Sequence, residues 1–227
     1  MIYLVLISAV LIGASIVLFV KPSERFIQFL LAFSGAYLLS ITVLHLLPEV
    51  FTESDEHTKI GIFILLGILI QSVLEYFSKG AEHGHVHIHG QVKSIPWLLL
   101  ISLGIHAVFE GIPLGDANNK VLLWAIFIHK IPISIILTTF LLQTKLSKPV
   151  IFVLLALFSL MSPMGCYLYE HISFLNTYST EITAVIIGVF LHISSIILFE
   201  SNDNHNFSIR KFLAILLGFG IAFMSVH

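Results

Sequence analysis

Residues 101–113 read Ile101-Ser102-Leu103-Gly104-Ile105-His106-Ala107-Val108-Phe109-Glu110-Gly111-Ile112-Pro113, an apolar run holding one imidazole and one carboxylate four residues apart. On a helix that spacing leaves the two only ~40° apart around the axis, on one face. The surrounding stretch, residues 95–114, is long enough at ~1.5 Å per residue to cross a ~30 Å hydrocarbon layer. A carboxylate at the middle of such a span costs ~2.5 kcal/mol or more unless it is paired, protonated or bound to a cation. One His and one Glu on a shared face form half of a divalent-metal site; the plainer alternative is a His–Glu pair stapling two helices at a kink. Pro113 donates no backbone hydrogen bond, so the carbonyl of Phe109 loses its helical partner beside Glu110. Loosened backbone at membrane depth is tolerated where it is buried in protein or lines a cavity.

The rest of the chain repeats the apolar theme. Of its 227 residues 57% are hydrophobic and 11% charged, with a mean hydropathy of +1.01; a soluble domain carries ~25% charged residues. Seven further spans are predicted at residues 2–20, 25–47, 60–77, 121–142, 150–169, 182–199 and 209–226, which with 95–114 makes eight. The fold class expected is therefore all-α, a polytopic membrane bundle, with residues 1–227 as one transmembrane domain in the lipid bilayer. The first run lacks a basic leader and an A-x-A cleavage pattern and is read as a span. Only one connection is long, a loop at 78–94.

Charge sets the expected orientation. With both termini outside, the inward loops hold Lys21, Arg25, Lys79, Lys93, Lys145, Lys148, Arg210 and Lys211, against Lys59 and Lys120 in the outward loops. That asymmetry favours extracytoplasmic termini and a cytoplasmic 78–94 loop in a plasma or inner cell membrane. A net charge of −2 without a basic stripe argues against a nucleic-acid partner. The lone Cys166 rules out a disulfide framework and a thiolate-rich metal cage.

Further ionisable residues sit inside or beside the spans. The fifth contains His129-Lys130-Ile131-Pro132, again a ligand type three residues before a proline. His129 supplies a third ligand to His106 and Glu110 if the two helices face each other. Lys130 repels a metal cation, so it either pairs with an acid such as Glu110 or takes the place of a second ion. His45 and Glu49, also four apart, read as an access route from the outer face or as an interfacial pair reaching to water. His192 in the seventh span is equally ambiguous, and its spacing to Glu200 hints at an inverted repeat of the second span. In the loop, His83, His85, His87 and His89 alternate in a Gly-containing segment, a compositional signal for weak, exchangeable metal binding.

Together these residues resemble the ZIP family (Zrt/Irt-like proteins) of divalent metal transporters. His106-x-x-x-Glu110-Gly111 is similar to that family's fourth-span signature and His129-Lys130 to the fifth-span signature of one large branch. His45-Leu-Leu-Pro-Glu49 and Ser162-Pro163-Met-Gly165 resemble its second and sixth spans. The resemblance implies that His106, Glu110 and His129 are ligands of a central transport site. It also implies that a second metal site found in some members is lost here, its positions occupied by Ala107, Lys130 and Ser162, with Ile133 replacing an acid. It further implies a 3+2+3 helix arrangement, and such proteins often form homodimers.

The expected function is transport of a divalent transition metal, with zinc ahead of iron(II), manganese and cadmium on a two-His, no-Cys ligand set. The metal is then a substrate, and no organic cofactor is expected. Two other classes stay open: an intramembrane metal-dependent hydrolase and a metal-sensing receptor. The chain lacks the H-E-x-x-H pattern, and Glu110 would have to serve as both ligand and base, so an enzyme is not the expectation.

Overall fold

Apolar runs satisfy their backbone polar groups only as helices once water is excluded. The computed structural model is accordingly helical along the predicted spans, with a 3₁₀ turn over Ile112–Gly115 at Pro113; it describes residues 1–78, 80, 95–115, 119–199 and 208–226. Eight helices are long and apolar enough to cross a membrane. They are α1 (Ile2–Phe19), α2 (Glu24–Glu53), α3 (His57–Ser78), α4 (Trp97–Gly115), α5 (Lys120–Gln143), α6 (Lys148–His171), α7 (Ser179–Phe199) and α8 (Ile209–Val226). A single extra turn, Ser173–Thr177, joins α6 to α7. No strand occurs among the described residues. His83, His85, His87, His89, the rest of 81–94 and Glu200 lie outside the described residues.

Local chemistry explains the ends. Ser23 caps α2 by accepting a hydrogen bond from the Phe26 amide at 3.3 Å, and Asn119 caps α5 by accepting from the Leu122 amide at 3.2 Å. Two spans depart from the prediction, one at its end and one in continuity; the other ends agree to within three residues. The second does not stop before Pro48 but continues to Glu53, because a π-turn over Thr42–Leu46 re-routes the Leu47 amide to the Thr42 carbonyl ahead of the proline. The sixth is interrupted at Leu160, dividing it into Lys148–Ser159 and Met161–His171 just before Ser162-Pro163.

Helix α5 is the most buried of the eight, whereas α1, α3 and α8 present much of their apolar surface outward. The principal pairings are α1 on α5, α6 on α4, α2 on α8 and α3 on α7. Exchanging α1, α2 and α3 with α6, α7 and α8, and α4 with α5, maps these pairings onto one another. The α3–α7 contact is backbone to backbone at Gly67 and Gly188. A Cβ on Gly188 would lie 2.9 Å from the Gly67 Cα, and one on Gly67 would fall on the Val185 carbonyl. Along the same pair, Lys59 Nζ meets Glu181 Oε1 at 2.9 Å near one end.

Candidate metal site

The site is assembled where α4, α5 and α6 meet, and glycine decides how closely. A Cβ on Gly111 would fall on the Ser162 carbonyl, with the Ser162 carbonyl carbon at 2.8 Å and its Cα at 3.0 Å. A Cβ on Gly165 would likewise fall on the Val108 carbonyl. Without side chains at both points, α4 and α6 touch through their backbones. Cys166 Sγ donates to the Gly111 carbonyl at 3.1 Å, and Ser162 Oγ donates to the Ala107 carbonyl at 2.7 Å.

His106 and Glu110 share the inward face of α4, as their spacing predicts, with His106 Nε2 at 3.0 Å from Glu110 Oε1. His129 enters from α5, its Nε2 at 4.0 Å from the same oxygen. The two imidazole rings stand edge-on, with centroids 6.5 Å apart. One ligand atom from each of the three residues lies within 4.8 Å of the others, and all three side chains are buried. Among the described residues no other group of three or more His, Cys, Asp or Glu comes together in this way. Ligands held at ~2.0–2.1 Å around a tetrahedral ion sit about 3.3 Å apart. Closing the His129 to Glu110 gap to that separation takes a side-chain movement of under ~1 Å. Behind His129, Nδ1 lies 3.5 Å from Ser34 Oγ on α2, whose own hydroxyl is 3.1 Å from the Leu31 carbonyl.

Lys130 meets an acid partner, one of the two roles its place in the sequence suggests. Its ammonium donates to Glu110 Oε2 at 2.9 Å and to Ser162 Oγ at 2.6 Å, and lies 5.2 Å from the Phe158 ring centroid. The side chain is only 1% exposed. Glu110 is therefore divided, with Oε1 toward the imidazoles and Oε2 on the ammonium. Ala107 and Ser162 are fully buried beside it. Ile133 is buried one turn further along α5.

The other singled-out residues are placed elsewhere. His45 lies in the π-turn of α2 and Glu49 just beyond Pro48, both half-buried, and neither joins the three-residue group. His192 pairs with a residue that sequence reading missed: its Nε2 is 2.6 Å from Glu75 Oε2 on α3, and its Nδ1 is 3.4 Å from Ser72 Oγ. A carboxylate three residues from the end of an apolar span was the available signal for Glu75.

Residues 76–226 match the family model described as ZIP zinc transporter. The chain is 32% identical over 172 residues to Protein zntD of Dictyostelium discoideum, covering 65% of this chain and 25% of that protein. It is 34% identical over 88 residues to Zinc transporter ZIP1 of Danio rerio, covering 37% of this chain and 29% of that protein. The chain thus matches less than a third of the length of either curated relative.

Proposed function

The chain belongs to the ZIP zinc transporter family, and from that premise we propose that it carries a divalent transition metal ion, zinc foremost, across the membrane into the cytoplasm. Family membership and eight span-length helices make it a multi-pass membrane protein. The observation that carries the transport reading is the buried convergence of His106, Glu110 and His129 from α4 and α5. An imidazole pair with one carboxylate and no thiolate suits zinc while accepting iron(II), manganese or cadmium less well.

In this reading the ion enters past His45 and Glu49, is held by the three central ligands, and leaves on the side of His192 toward the His83–His89 loop. Lys130 stands where a second cation would sit, so the core holds one metal. The exchangeable pairings of the helices support a 3+2+3 arrangement, in which two related three-helix groups rock about α4 and α5 to give alternating access. The distribution of Lys and Arg supports extracytoplasmic termini. Homodimer formation belongs to the same proposal.

The test is flux. Purified protein in sealed vesicles containing a metal-responsive dye is expected to admit zinc, more slowly manganese and cadmium, and to lose uptake in Glu110→Gln. Binding of zinc without its passage favours the sensing receptor. Hydrolysis of lipid or peptide substrates by the native protein, abolished in the same variant, favours the enzyme, a reading that family membership speaks against.

A further inference from the structure

We propose that Lys130 is a positioning residue that sets the ion preference of the central site, by confining Glu110 to ligation through a single oxygen. The inference rests on the metal-transport reading above and adds a cause for its selectivity.

The ammonium occupies a built seat. Ser162 spends its own hydrogen on the Ala107 carbonyl at 2.7 Å, which leaves an oxygen lone pair facing Lys130 Nζ at 2.6 Å. Glu110 Oε2 accepts a second hydrogen bond from it at 2.9 Å, and the ammonium lies within cation–π range of the Phe158 ring at 5.2 Å. The backbone contact at Gly111 and Gly165 fixes Ser162 against α4, so the seat is rigid on that side. Glu110 Oε1 alone is left toward His106 and His129, at 3.0 and 4.0 Å.

Two-oxygen ligation by Glu110 requires Oε2 to turn from Nζ to the metal. That strands a cation that is 99% buried without its counter-charge, and uncompensated buried charge is strongly disfavoured. The site therefore offers two nitrogens and one oxygen, with a fourth position for water. Zinc is at ease with four ligands, whereas manganese and other oxygen-seeking ions favour six or more, commonly using both oxygens of a carboxylate. A lysine contributes to selectivity here without touching the ion.

X-ray absorption on the full-length protein in detergent, loaded with sub-stoichiometric zinc, reads the ligand count directly. We expect the native protein to show about four ligands, consistent with two imidazoles and a one-oxygen carboxylate. Lys130→Met is nearly isosteric and cannot donate, so it frees Oε2. We expect it to add an oxygen ligand at zinc and to lower the zinc-over-manganese preference, measured by competition, at least tenfold. A two-oxygen carboxylate in the native spectrum overturns the proposal whether or not the variant folds. So does a Lys130→Met protein with the native spectrum and preference. Native zinc affinity in Glu110→Gln instead removes the metal site itself, which separates failure of this inference from failure of the reading beneath it.

Discussion

Gly111→Ala places a methyl group where Ser162 already lies. The added carbon would meet the Ser162 carbonyl carbon at 2.8 Å and its Cα at 3.0 Å, with the oxygen closer still. Comfortable carbon–carbon contact begins near 3.5 Å, so α6 has to retreat by roughly 1 Å. That movement stretches the Ser162 bond to the Ala107 carbonyl from 2.7 Å and the Lys130 bond to Ser162 from 2.6 Å. Overpacking alone costs about 1–3 kcal/mol, and each weakened hydrogen bond about 0.5–1.5 kcal/mol. The opening of the α4–α6 contact is thus favoured by about 2–6 kcal/mol, or roughly 30- to 20,000-fold in population. Cys166, buried and donating to the Gly111 carbonyl at 3.1 Å, is a built-in reporter and the only cysteine in the chain. Its labelling rate with a maleimide dye in detergent tracks that opening. We expect labelling to accelerate by at least ~30-fold in Gly111→Ala, with a lower unfolding midpoint. Native labelling kinetics in a folded Gly111→Ala protein show that the helices have slack at this point, and the argument for a rigid lysine seat goes with it.

Three other outcomes follow from the same geometry. Glu110→Gln leaves the Lys130 ammonium buried and unpaired, which is expected to cost about 3–5 kcal/mol by denaturation. Adding Lys130→Met to it should recover most of that loss while zinc binding, followed by calorimetry, stays absent. Glu75→Gln and His192→Ala each break the 2.6 Å α3–α7 pair, and a half-buried bond of this kind contributes about 1 kcal/mol. In vesicles both are expected to slow uptake severalfold while leaving metal bound at the core unchanged; unaltered uptake removes His192 from the route. Replacing His83, His85, His87 and His89 by serine should bring metal analysis close to one ion per chain, and two ions would show that Lys130 does not exclude a second.

What the sequence disclosed was periodic or local. Apolar runs revealed eight helices, and the four-residue spacing put His106 and Glu110 on one face. Whether His129 would face them was open, because the rotation of α5 against α4 depends on contacts between distant segments; Gly13 of α1, against Ile131 and Ser134, belongs to that packing. The partner of Lys130 was one of two alternatives for the same reason. His192 was set beside Glu200 by proximity in the chain, yet it meets Glu75, 117 positions away, since α7 packs along α3. The end of α2 was misjudged because Pro48 stops an ordinary helix, whereas a π-turn carries the chain through it.

The glycine contact between α3 and α7 acts as a fulcrum. Helices that meet through bare backbone have no cushion left to compress, so they tilt about the touching point and cannot draw nearer. On α3, Lys59 and Glu75 each lie eight residues from Gly67, about 12 Å to either side. Both carry polar clasps to α7, at 2.9 Å to Glu181 and 2.6 Å to His192. A rocking of α3 on α7 about that point loosens one clasp as it closes the other, so the two rims of the bundle are joined through a lever whose arms on α3 are equal.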